Sequence, residues 1–200
     1  MSGDVFSFDK FRILFQCHFL SPIIRWGEFM NKQSMEIFER EIKRQCRIFF
    51  MSVEYLDEYY ENPTEVGVDK VWYHIQSFLT SSANISKLLW GVNLRISQSR
   101  KELREKLGVS EDSPLKHRKM RNFFEHFDEH LEKWVKDNSN SIFIDSNIGP
   151  KTAIINDSDK YQFLRNFNPA SNIITFKDHE YDMKVIADEV YKIYIVVSQQ

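Results

Sequence analysis

Through most of this chain apolar residues recur every three or four positions, giving way to short apolar runs only near the C-terminal end. From Ser34 to Tyr60 they fall at Met35, Phe38, Ile42, Cys46, Phe49, Val53 and Leu56, the period of a helix that buries one face. Asn62-Pro63 ends that helix, because a residue before proline is biased away from helical backbone. A second helix starts near Val68 and carries Val71, Trp72, Ile75, Phe78 and Leu79, then Leu88 and Leu89. Ser81-Ser82-Ala83-Asn84 is the place where it is expected to bend or break. A third, shorter helix covers about Ile96 to Leu107, with Gly108 as its C-cap.

Ser113 as N-cap and Pro114 at the first helical position open a further helix that runs to about Lys136. Met120, Phe123, Phe124, Phe127, Leu131 and Trp134 share one face of it, within a sector of roughly 100°. Arg118, Asn122, Glu125, His126, Glu129 and Lys133 lie opposite, with Arg121 toward one flank. After Asp137-Asn138-Ser139-Asn140 the texture changes. Ile142-Phe143-Ile144 and Thr152-Ala153-Ile154-Ile155 read as strands around the turn Asn147-Ile148-Gly149-Pro150. Asn172 to Phe176 and Glu180 to Met183 pair as a hairpin, and a last helix carries Val185, Ile186, Val190, Ile193 and Val196. Val5 to Leu20 fits strand and helix equally. The pattern predicts a mainly α fold: a four- to five-helix bundle over residues 1–138, its core about 30–138. Residues 139–200 add a small β-containing segment and a final helix, packed on the same domain.

Composition narrows the function classes. A hydrophobic share of 42%, with 17 Phe, 8 Tyr and 4 Trp, is enough for a buried core and excludes a disordered chain. Basic and acidic residues nearly cancel, 27 against 29, so nucleic-acid binding must come from a local patch. Cys17 and Cys46 sit in apolar surroundings without a Cys-x-x-Cys spacing and read as reduced core thiols. The apolar stretch Phe11 to Ile24 is interrupted by Arg12, Gln16, His18, Ser21 and Pro22, too polar to span a bilayer and unlike a signal peptide. The expectation is a cytoplasmic protein with no membrane partner.

The most informative stretch is Arg121-Asn122-Phe123-Phe124-Glu125-His126, which follows Lys116-His117-Arg118-Lys119 with Met120 between. A guanidinium that grips phosphate and an imidazole that moves a proton near neutral pH suffice to cleave RNA without a metal. RNA carries its own nucleophile, the ribose 2′-hydroxyl, so a protein need only align it, shuttle protons and stabilise charge on phosphorus. Lys116, Arg118 and Lys119 form a local positive patch suited to phosphate contacts. Glu125, Asp128, Glu129 and Glu132 follow at once and would repel a polyanion, so the patch suits an acidic protein partner equally well. The plainer reading pairs Arg121 with Glu125 across one helical turn and treats the face as a solvated surface. His126 and His130 lie one turn apart around Glu129, but lack the His-Glu-x-x-His order and an obvious third ligand, so no metal is expected. Trp72, Trp90, Phe123, Phe124 and Trp134 fall at core spacing, and no phosphate-binding glycine loop is present, so no cofactor is expected.

A bundle of about four helices with Arg-Asn-x-x-x-His on a late helix resembles the HEPN superfamily. Its signature is an arginine, four to six residues, then a histidine, commonly with a polar residue right after the arginine. Arg121, Asn122 and His126 fit with four residues between, and Arg12 and His18 also satisfy the spacing with five. The resemblance covers about residues 30–138 and implies a metal-independent endoribonuclease, frequently a toxin or defence effector, whose paired protomers share one cleft. On that reading His126 is general base or acid, Arg121 holds the scissile phosphate, and Asn122 orients imidazole or substrate. Arg121 and His126 stand roughly 140° apart in projection, which a site shared across a two-fold axis relieves, so a homodimer is expected. Other members have lost cleavage, and the alternative is a silent helical interaction or sensing module binding a protein, such as an antitoxin, or a nucleotide. A small-molecule sensor built around the C-terminal strands is a third possibility.

Overall fold

The computed structural model describes residues 30–61, 67–117, 119–153, 160–177 and 179–199. The segment Val5 to Leu20, Cys17, the Arg12/His18 pair, the stop at Asn62-Pro63, Arg118 and Ile154-Ile155 lie outside these residues. Helix α1 spans Lys32–Glu61, and the Asn31 side chain caps it by accepting the Ser34 N–H at 2.8 Å. Met35, Ile42, Cys46, Phe49 and Leu56 are buried along its inner face as the periodicity requires, with Phe38 and Val53 packed at the margin. Helix α2, Val68–Trp90, runs antiparallel to α1: Tyr55 stacks on His74 near one end, and Asn84 donates to Gln45 farther along.

Helix α2 passes through the four-residue stretch 81–84 without a break. Ser81 and Ser82 are buried and turn their hydroxyls back onto the carbonyls of Ser77 and Leu79, at 2.7 and 2.9 Å. A serine that satisfies itself this way is compatible with a buried helix, and its small side chain lets neighbours approach. The expected third helix is two, α3 (Leu94–Ser99) and α4 (Lys101–Lys106), parted at Arg100. Arg100 and Arg104 reach back across that break to the carbonyls of Leu88 and Leu89, capping the end of α2. At the end of α4, Val109 N–H bonds Arg104 O and Gly108 N–H bonds Glu105 O, with Gly108 at φ 67°, a Schellman cap at the expected glycine.

The predicted helix from Ser113 to Lys136 is also divided. Pro114–Lys116 form one 3₁₀ turn, α5 spans Lys119–Glu125, and α6 spans Phe127–Asp137, with His126 at the junction. Different neighbours hold the two halves. Glu125 on α5 meets Lys87 of α2 at 3.1 Å, whereas Trp134 on α6 packs edge-on against Phe143, ring centres 4.6 Å apart. Phe123 and Trp134 are buried as expected, but Leu131 is not.

The remaining segment is mixed. Strand β1 (Ile142–Ile144) pairs in parallel with β3 (Tyr161–Phe163). A second sheet has the order β2-β4-β5-β6, from Asn147–Ile148, Arg165–Asn168, Ile173–Phe176 and His179–Asp182. Its β5–β6 hairpin is the one the sequence predicts, with Phe176 opposite His179. Residues 151–153 form a 3₁₀ turn where a strand was expected, and β3 and β4 were not foreseen. Helix α7, Met183–Ser198, is capped by Asp182, whose side chain accepts the Val185 N–H. Met183, Ile186, Val190, Ile193 and Val197 face inward, while Val185 is exposed. These residues share one apolar core with buried residues of α1, α2 and the β4–β5 pair. Among the described residues, no helix is long and apolar enough to cross a membrane.

Candidate functional site

The junction between α5 and α6 exposes the histidine that the sequence singles out. Asn122 and His126 are one turn apart, with the His126 N–H bonded to Asn122 O at 3.0 Å, and both side chains face solvent. His126 leaves helical geometry, at φ −110° and ψ 39°, before α6 resumes. Its imidazole is 59% exposed, and Nδ1 lies 3.5 Å from a Glu129 carboxylate oxygen. That is ion-pair range for a protonated ring, though longer than a good hydrogen bond. Arg121 lies within α5, in the turn before His126.

The basic patch is less coherent than the sequence suggests. Lys119 lies in α5, while Lys116 sits in the preceding 3₁₀ turn with its ammonium 3.1 Å from both the carbonyl and a carboxylate oxygen of Glu111. Glu111 also receives the Arg104 guanidinium at 2.8 Å. The Arg104 and then the Lys116 hydrogen bonds hold the Glu111 carboxyl below its usual range, against a small opposing effect of burial. Asn122 and His126 therefore belong together, and Lys116 belongs to an ion cluster with Glu111 and Arg104.

Beneath the junction lies a cluster that only the tertiary fold assembles. The buried Phe123 ring is nearly parallel to Phe176 and to His179, at centroid distances of 5.1 and 4.8 Å, and meets His130 edge-on at 4.9 Å. His130 also lies edge-on to Phe176 at 5.7 Å. Burial holds the His130 imidazole below its ordinary pKa, and the charges of Lys177, His126 and Lys133 act in the same direction against the pull of Glu129. The His126/His130 spacing is visible in the sequence as one helical turn. His179 and Lys177 were only residues of a hairpin turn, and nothing in local sequence ties a hairpin tip to a helix far upstream. Among the described residues, no three His, Cys, Asp or Glu side chains converge as metal ligands would.

Arg165 braces this region from below. Its guanidinium forks onto Asp145, at 2.8 Å from Nε to Oδ1 with a second contact from Nη2, and lies over the rings of Phe127 and Trp72. Trp72 in turn donates its indole N–H to Ser146 O at 2.8 Å, linking α2 to the strand region. Comparison of the chain with protein-family models, curated proteins and solved structures finds no match.

Proposed function

We propose that this protein is a HEPN-like, metal-independent endoribonuclease, acting in the cytoplasm as a toxin or defence effector. The observation that carries the reading is the accessibility of His126: an imidazole 59% exposed at a helix junction, one turn after Asn122, with the Glu129 carboxylate at its Nδ1 side. With the carboxylate on the Nδ1 side, the other ring nitrogen is left to face substrate. Arg121 supplies the planar cation for the scissile phosphate, and Asn122 aligns ring or substrate. The 2′-oxygen attacks phosphorus, the bond to the 5′-oxygen breaks, and the products are a 2′,3′-cyclic phosphate and a 5′-hydroxyl end. Two protomers meeting at α5–α6 would complete one cleft, and an acidic protein is the fitting antitoxin for the cations around it.

The test is cleavage of end-labelled single-stranded RNA with EDTA present. Turnover that is lost in His126→Ala and Arg121→Ala, with both variants folded, supports the nuclease. Binding without turnover supports the silent module instead. One observation favours that second reading: Met51 on α1 and Tyr73 on α2 are each 67% exposed, and with Ile37 and Ile48 they leave apolar surface on the α1–α2 face, the kind of patch protein partners cover.

A further inference from the structure

Transesterification of RNA needs two proton transfers, one from the attacking hydroxyl and one to the leaving oxygen, and a single histidine performs both only by moving between them. The structure sets a second imidazole beside the first. His130 donates its backbone N–H to His126 O at 3.2 Å, closing the first turn of α6, and the two side chains are near enough for charge on His126 to act on the His130 ring. Its ring is fixed by two edge-on contacts, to Phe123 and Phe176, and a ring held by packing keeps its reacting nitrogen in place.

We propose that His130 is the second proton-transfer group of the site, taking the proton of the ribose 2′-hydroxyl while His126 delivers a proton to the departing 5′-oxygen. The inference rests on the nuclease reading. The bond from the 2′-oxygen to phosphorus forms and the bond from phosphorus to the 5′-oxygen breaks. One proton goes onto His130 and one leaves His126, so no water, metal or oxidant is consumed.

The two surroundings divide the roles. His130 is half-buried among aromatic rings, with Lys177 at the tip of the β5–β6 hairpin, His126 and Lys133 disfavouring a charged ring against the opposing pull of the Glu129 carboxylate. These surroundings favour the neutral ring, the form that accepts a proton. His126 stands in solvent, open to the departing oxygen, with a Glu129 carboxylate oxygen 3.5 Å from its Nδ1.

The experiment is the pH–rate profile for cleavage of a labelled single-stranded RNA oligonucleotide by the full chain, its His126→Ala and His130→Ala variants, and His130→Phe. The phenylalanine keeps an aromatic edge against Phe123 and Phe176 but carries no proton. A bell-shaped wild-type profile is expected. Both His130 variants should lose about 100-fold or more at neutral pH together with the rise on the acidic side, and His126→Ala should lose the fall on the alkaline side. Added imidazole should partly restore His130→Ala, an effect that loosened packing does not produce. Cleavage by wild type with both limbs intact in His130→Phe, or no imidazole rescue of His130→Ala, overturns the role of His130 and leaves the nuclease standing. A wild type that binds RNA but never cleaves it overturns both.

Discussion

The Phe123 ring lies 4.8 Å from the His179 ring and within 13° of parallel to it, so a helix residue and a hairpin residue form one stacked pair. Phe176, directly across the hairpin from His179, stacks on the same ring. Phe123 is thus the post on which α5 stands against the sheet. Its truncation in Phe123→Ala should cost about 3 kcal/mol or more, as removal of a buried phenyl group does, and Phe123→Leu clearly less. Urea unfolding checks this: the midpoint should fall with an unchanged slope. A shift within experimental error would mean that the hairpin does not rest on this ring.

Gly91 and Gly108 both have positive φ, yet a side chain should cost far more at one than at the other. At Gly91 (φ 63°, ψ −158°) a methyl group would lie 2.2 Å from Ile96 Cγ2, and the backbone region itself suits almost only glycine. Gly108 (φ 67°) meets nothing within 4 Å. Gly91→Ala should therefore cost on the order of 3 kcal/mol, and Gly108→Ala about 1 kcal/mol, the ordinary price of a left-handed residue. Equal losses in thermal or urea unfolding would contradict the close packing of α3 against the end of α2.

Helix faces were legible because burial imposes a period. Met35, Ile42, Cys46, Phe49 and Leu56 are inside for the reason their spacing implies. The breaks were not, since they are set by distant partners. Local pattern continues straight through His126, but α5 is held by Lys87 and α6 by Phe143. Conversely, Ser81 and Ser82 look like a break and are not one, because each hydroxyl finds a carbonyl within its own helix. Strands β3 and β4 escaped notice because Tyr-Gln-Phe and Arg-Asn-Phe-Asn hold no β-branched residue, unlike the Ile-Phe-Ile of β1, so composition does not mark them as strands. Of the candidate site, the pairing of Asn122 with His126 is local and could be read. The approach of His179 to Phe123 and of Lys177 to His130 is a tertiary event that no spacing encodes.

Acid should weaken the fold in two separate windows. His74 is held below its ordinary pKa by burial and then by the Lys70 charge, as His130 is by burial and then Lys177. Each binds a proton more readily when unfolded, so their contribution is complete above about pH 6.5 and is lost as pH falls through the folded values. Burial alone would raise the Asp145 carboxyl, but the Arg165 fork and charge, with Ser146, outweigh it and leave it low. That contribution is present above about pH 4 and disappears below it. Urea midpoints measured from pH 3 to 8 should show both declines. His74→Gln and His130→Gln should flatten the upper one, and Asp145→Asn the lower. An unaltered profile in all three would refute these assignments.

Cys46 should be chemically silent in the folded protein. It is fully buried on α1, and desolvation pushes its thiol up to about 12, so almost no thiolate exists at pH 8. In a Cys17→Ser background, a thiol reagent such as dithiobisnitrobenzoate should react only as the chain opens, at a rate that rises with urea. Rapid stoichiometric labelling of native protein would place Cys46 at the surface.

A cleft shared by two protomers makes a prediction that a self-contained site does not. If Arg121 of one subunit serves His126 of the other, a mixed dimer of Arg121→Ala and His126→Ala subunits carries one intact pair and one doubly impaired pair. Random exchange of equal amounts gives about half mixed dimers, each with half the normal number of sites, so about a quarter of wild-type turnover should return on mixing two inactive variants. Recovery should follow subunit exchange and grow with protein concentration where dimers are only partly formed. If both variants are inactive alone and stay inactive after exchange through a denatured mixture, each site draws its arginine and histidine from the same chain. The 140° separation on one helix must then be overcome by the bend at His126, which is where the helix is observed to break.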